Sequence, residues 1–115
     1  MLPLSQRIQR RDFDDIFKKG RFWQSDNVSL VTLKIEGPDS NKSKFAFSAS
    51  KKVSKKAVVR NKLRRRGYAA IQKLVSKTKP SFLAVFIFKK EADSLSFEEI
   101  EKEITFLLRK SKLLE

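Results

Sequence analysis

The sequence predicts an α+β domain with a mixed sheet, and three observations carry that reading. Three stretches repeat apolar residues at three- and four-residue spacing, as helices docking on a core require. Strand-like runs lie between them, alternating in two places and unbroken apolar in a third. The last two of these runs are separated by residues 51–81, long enough for a crossover to a parallel strand. At 115 residues, with hydrophobic side chains at 40% and ten Phe to supply bulk, the chain is expected to be one domain with a modest core.

The elements follow in order. Residues 1–11 are polar and basic, with Leu2, Leu4 and Ile8 as anchors, and are expected to be extended or loosely held. Residues 12–20 read as a short helix. Asp12 is its expected N-cap, Asp14 and Asp15 suit the positive end, and Lys18 and Lys19 suit the negative end. Gly20 is expected to stop it in the left-handed conformation. Phe13, Ile16 and Phe17 share one face. A short strand is expected over 21–24 and a longer one over 28–36, with Val31, Leu33 and Ile35 opposite Val28, Leu30 and Thr32.

GPDSNK at 37–42 is a turn cluster. After it, KFAFSAS at 44–50 places Phe45, Phe47 and Ala49 on one side and Ala46, Ser48 and Ser50 on the other. The short separation predicts an antiparallel hairpin between these two strands. A helix is predicted over 57–76, with Val59, Leu63, Gly67, Ala70, Ile71 and Leu74 as its apolar stripe. Arg60, Asn61, Arg64, Arg65, Tyr68 and Gln72 occupy the adjoining arc, and Lys62, Arg66 and Lys73 the remaining flank. Mid-helix Gly67 costs roughly 0.5–1 kcal/mol relative to Ala, so close helix–sheet contact is its expected reason. Residues 82–88, FLAVFIF, predict a central strand buried on both faces. The final helix, 97–110, opens with a Ser96–Glu99 capping box and a Leu95–Ile100 staple. Its stripe is Phe97, Ile100, Ile104, Leu107 and Leu108.

Charge points to function. The net charge is +14, and none of it comes from the two ends of the chain taken together. Residues 40–90 carry sixteen Lys and Arg and no Asp or Glu, while the rest carries eleven basic and thirteen acidic side chains. The density peaks at 51–66, KKVSKKAVVRNKLRRR, where nine of sixteen residues are basic. Concentrated positive charge without carboxylates is the footprint of a phosphate-backbone partner. A surface built only for solubility intersperses its charges. The lack of Cys excludes disulfides, thiolate metal sites and Cys nucleophiles. The lack of His removes the commonest general base and zinc ligand. No run is apolar enough for a signal peptide or a membrane span, so the expected location is the cytoplasm.

Arg60-Asn61-Lys62-Leu63-Arg64-Arg65, preceded by a strand running into Ser50-Lys51-Lys52, gives the sharpest local signal. With Phe13, Phe17 and Gly20 before it, and residues 82–88 and the helix from Phe97 after it, the chain resembles the protein subunit of bacterial ribonuclease P over almost its whole length. The resemblance implies a two-layer αβββαβα domain, its mixed four-stranded sheet packed against helices, with a left-handed crossover through the basic helix. It implies a protein that binds the catalytic RNA subunit and the single-stranded 5′ leader of precursor tRNA, while the RNA performs the cleavage. Mg²⁺ is then the implied cofactor, held chiefly by RNA, and no catalytic or metal-binding side chains are expected in the protein.

Carried over by position, the RNA-binding residues are Lys51, Lys52, Arg60, Asn61, Lys62, Arg64, Arg65 and Tyr68. Phe13, Phe17, Ser48 and Ser50 border the implied leader cleft. The chain departs from the family pattern at five positions. Lys62 stands in place of an Arg, losing a planar bidentate fork. Tyr68 also replaces an Arg. Arg66 and Gly67 occupy usually apolar positions, and Val31 occupies a usual aromatic position.

Plainer readings compete. On spacing alone, core packing is favoured over base stacking for Phe13 and Phe17. Phe45, Phe47, Phe82, Phe86 and Phe88 read as core. Glu98, Glu99, Glu101 and Glu103 read as a wet helix face that offsets the dipole rather than a metal site. The alternative function is a ribosome-associated RNA-binding protein. DNA binding lacks a helix-turn-helix spacing, and a membrane surface would need the apolar stripe that the core already claims.

Overall fold

A computed structural model describes residue 8 and residues 10–35 and 43–114. Helix α1 (Arg10–Lys19) is followed by strands β1 (Arg21–Gln24), β2 (Val28–Lys34) and β3 (Lys44–Ser48). Helix α2 (Ala57–Leu74), strand β4 (Phe82–Phe88) and helix α3 (Phe97–Lys110) complete the expected order. A 3₁₀ turn, Val75–Lys77, takes over the last residues assigned to α2 from the sequence.

The sheet runs β1-β2-β4-β3, with β1 and β4 antiparallel to β2, and β3 parallel to β4. The expected hairpin between β2 and β3 is therefore not formed, because β4 lies between them. The reason is in β4 itself. Its apolar run is buried on both faces, so both of its edges need strand partners for their backbone groups. The turn cluster at 37–42 lies outside the described residues. With β3 at an edge, the Ile8 N–H donates to the Phe45 carbonyl at 3.2 Å and covers part of that edge.

Two cores flank the sheet. On one face, Val28, Leu30, Phe45, Phe47, Ala84, Phe86 and Phe88 pack beneath Leu63, Ala70 and Ile71 of α2 and Ile100, Ile104, Leu107 and Leu108 of α3. On the other, Val31, Ala46, Leu83 and Val85 pack with Ile16 of α1, and Phe13, Leu33, Ile35 and Ile87 join them at the margin. The predicted alternation of β2 and β3 and the stripes of α2 and α3 are thus the ones used.

Gly67 is buried where α2 crosses Phe47. A Cβ there would strike the Phe47 ring at Cδ1 and come 2.6 Å from its Cε1. The glycine sets the helix–sheet spacing. Ser96 and Glu99 form the expected capping box, with Leu95 and Ile100 both buried beside it.

Three expectations at the N-terminal end are corrected. Helix α1 begins at Arg10, so Arg10 and Arg11 are helical rather than loosely held, and the remainder of that expectation falls outside the described residues apart from Ile8. Asp12 lies in the first turn instead of at the cap, where its charge still meets the positive end of the helix. Gly20 is not left-handed. Its N–H donates to the Ile16 carbonyl at 2.8 Å, and a Cβ would come 2.8 Å from both Thr32 O and Val31 Cγ1. Close approach to β2, rather than backbone conformation, calls for glycine there.

Candidate RNA interface

The basic stretch divides into a turn and a helix face. Lys51 and Lys52 sit exposed in the turn after β3, and the Lys52 N–H donates to Ser50 Oγ at 3.3 Å. Ser50, Lys51, Lys52, Lys55, Lys89 and Lys90 line one open hollow of about 820 Å³. Lys55, Lys89 and Lys90 were not singled out from the sequence. Their signal was present, since all three lie in the acid-free stretch, but β4 had to be placed beside β3 before 89–90 and 50–55 could meet.

Asn61, Arg64, Arg65 and Tyr68 line a second hollow, of about 420 Å³, on the exposed arc of α2 together with Val58. Arg64 is braced from two sides: one guanidinium nitrogen donates to Asn61 Oδ1 and the other to the Ala49 carbonyl at 3.4 Å. Asn61 therefore orients an arginine as well as presenting its own amide. Tyr68 meets Phe47 edge-on at 4.9 Å between ring centroids, so its ring is anchored on the core. Arg65 and Lys62 are exposed, Lys62 on the flank away from the hollow.

Arg60 is placed differently. Its Nη1 donates to the carbonyls of Ser54 and Lys55, both at 3.0 Å, tying down the loop that enters α2. No side chain caps α2, so this brace replaces a conventional cap while its charge stays near the turn. Arg66 likewise turns inward and donates to the Leu95 carbonyl at 3.0 Å.

Charge compensation is almost absent. Among the described residues the one ion pair is Lys73–Glu101 at 3.2 Å, on the rear flank of α2. The first turn of α2 contains no acid, so its partial positive charge adds to that of the side chains. These exposed cations are free to meet an external polyanion.

The second predicted region lies on the sheet face that α1 only partly covers. Ser48 aligns with Ile87 of β4, which aligns in turn with Ser29 of β2. On α1, Ile16 is fully buried whereas Phe17 is 42% exposed, stacked 6.3 Å from half-buried Phe13. Core packing thus accounts for Phe13 but not for Phe17. Val31 is buried beneath α1 and cannot receive a base, but Phe22 lies opposite it across β1 and β2 and is 56% exposed. Phe22 was missed because a four-residue edge strand gives little alternation to read.

The carboxylates of α3 have separate tasks. Glu99 accepts the Ser96 N–H at 3.0 Å, and this bond holds its carboxyl below the ordinary value. Glu103 accepts from Ser25 Oγ at 2.5 Å, Asn27 N at 2.8 Å and Asn27 Nδ2 at 2.9 Å, fastening the β1–β2 turn to α3. No cluster of three or more metal-ligating side chains occurs among the described residues. No described helix is long and apolar enough to cross a membrane.

Comparison with known proteins identifies the family. The family model for Ribonuclease P matches residues 2–112. The chain is 33% identical over 115 residues to the ribonuclease P protein component of Microcystis aeruginosa, covering 98% of this chain and 96% of that one. Its fold resembles the Staphylococcus aureus RNase P protein with a TM-score of 0.84 at 22% identity, over 96% of this chain and 98% of the other. It also resembles the Thermotoga maritima RNase P protein, with a TM-score of 0.80 at 25% identity, over 90% and 96% of the two chains. The chain belongs to the ribonuclease P protein family.

Proposed function

We infer that this chain is the protein subunit of a ribonuclease P whose RNA subunit carries the chemistry of removing 5′ leaders from precursor tRNA. The observation that carries the reading is the exposed, carboxylate-free arc of α2 and its adjoining turn, beside a sheet face with exposed aromatic rings. Lys51, Lys52, Lys62, Arg64 and Arg65 meet phosphates of the RNA subunit. Asn61 and Tyr68 add hydrogen-bonding and stacking groups on the same arc. The tethered guanidinium of Arg64 loses less side-chain freedom on binding than a free lysine would.

Phe17, Ser48 and Ser50 border the path of the single-stranded leader, and Phe22 supplies an aromatic surface where buried Val31 does not. Aromatic faces stack on any base, which suits a leader of varied sequence. In this reading Mg²⁺ is held chiefly by RNA, and no protein step runs through it. The protein's contribution is to bind and position.

Purifying the tagged protein from its host and sequencing the bound RNA tests this reading. One dominant structured RNA that cleaves precursor tRNA in Mg²⁺ is the expected result. Ribosomal RNA alone would favour a ribosome-associated protein and overturn it.

A further inference from the structure

At the sheet edge opposite β3, a separate basic recess of about 570 Å³ opens beside β1. Lys19, Arg21, Lys34, Lys79 and Lys112 line it around Trp23, and no carboxylate lines it. These cations arrive from the end of α1, from β1, from the end of β2, from the segment before β4, and from just past α3. All five are exposed, and none of their side chains has a hydrogen-bond acceptor or ion-pair partner among the described residues. Packing does not explain their convergence, since each holds its like-charged neighbours close without compensation. The C-terminus of α3 adds about half a negative charge at Ser111, which five full positive charges outweigh.

Trp23 makes the recess more than a charged surface. Its indole Nε1–H donates to buried Thr32 Oγ1 at 3.2 Å, which fixes the ring, and the ring is only partly covered by the core. A fixed aromatic wall beside converging cations suits a nucleotide, with phosphate on the lysines and sugar or base against the indole. We propose that this recess is a second RNA-binding site, taking a phosphodiester segment at the sheet edge remote from the α2 arc. It stands on a different surface from the one assigned above and does not depend on the ribonuclease P reading.

Trp23 is the chain's single tryptophan, so its emission reports on the recess directly. The full-length protein would be titrated with inorganic pyrophosphate and, separately, with a short single-stranded RNA, following that emission. A saturable change with both is expected, with the RNA displacing pyrophosphate. The double variant Lys34→Gln/Lys112→Gln should lose the response and reduce the salt slope of RNA binding by roughly 1.4, from about 0.7 per single-strand contact. Its melting temperature should not fall, because both side chains are exposed and lack described partners and their removal only relieves repulsion among the remaining cations. Emission unmoved by either probe would overturn the proposal. So would a response to pyrophosphate that RNA cannot displace, or a double variant that folds and responds like the parent.

Discussion

Replacing Gly67 with Ala should destabilise the protein, although Ala is the better helix former. Two effects oppose each other. Relief of backbone entropy favours Ala by about 0.5–1 kcal/mol in a helix interior. Against it stands the Phe47 ring, whose Cε1 would lie 2.6 Å from the new methyl and whose Cγ would lie 2.9 Å away. That ring has little room to yield. It stacks on Phe86 at 4.9 Å with an interplanar angle of 9°, on Phe88 at 6.1 Å, and against the edge of Tyr68 at 4.9 Å. Overpacking a filled core costs typically 1–3 kcal/mol, so the net loss should be about 0.5–2 kcal/mol. Urea denaturation of both proteins measures it, with the midpoint falling and the slope unchanged. Because Tyr68 leans on Phe47, RNA affinity should fall as well. A Gly67→Ala protein more stable than the parent would refute the argument that this glycine sets the helix–sheet spacing.

Other perturbations separate binding from folding. Arg65→Gln should weaken RNA binding and lower the salt slope by roughly 0.7–0.9 while leaving the melting temperature alone. Arg60→Gln should do both kinds of damage, since Arg60 also braces the loop before α2. Phe17→Ala should reduce the preference of the reconstituted complex for precursor over mature tRNA by about 1–3 kcal/mol per stacked base. Its melting temperature should fall only modestly, because the ring is 42% exposed and loses just its covered part and its contact with Phe13, and a large drop in melting temperature with the preference intact would remove Phe17 from the leader path. Ser96→Ala should cost about 1 kcal/mol through loss of the cap. The Glu99 contribution should be fully present above the ordinary carboxylate range and be lost as the pH falls through its lowered value, because its backbone bond favours the charged form. Acid titration of Glu99→Gln should lack that component.

The readable parts of this chain are those whose causes are local. Helix α3 and strand β4 have the bounds read from the sequence, because a capping box, a periodic stripe and an unbroken apolar run need no distant partner to be recognised. Partner choice is different. The turn cluster at 37–42 argued for a β2–β3 hairpin, yet the two-sided burial of β4 decided the pairing. Glu103 looked like one more surface acid because the groups it binds are 76 and 78 residues away. At the site, charge density located the α2 arc but did not distinguish Arg65, which faces outward, from Arg60, which also holds a loop. Helical spacing grouped Phe13 with Phe17, whereas the partial cover of α1 over the sheet separates them. The recess around Trp23 was not legible at all, since its lysines are scattered and meet only in the folded chain.

The central claim is that this protein binds and positions RNA while RNA performs the cleavage. The most direct measurement reconstitutes protein stripped of all nucleic acid with the RNA that copurifies with it, and follows precursor tRNA cleavage in Mg²⁺. The protein alone should show no turnover. The reconstituted complex should cleave at the mature 5′ end and lose activity when Lys51, Lys52, Arg64 and Arg65 are neutralised together. Turnover by the RNA-free protein, or full activity in the complex carrying that quadruple substitution, would contradict the account.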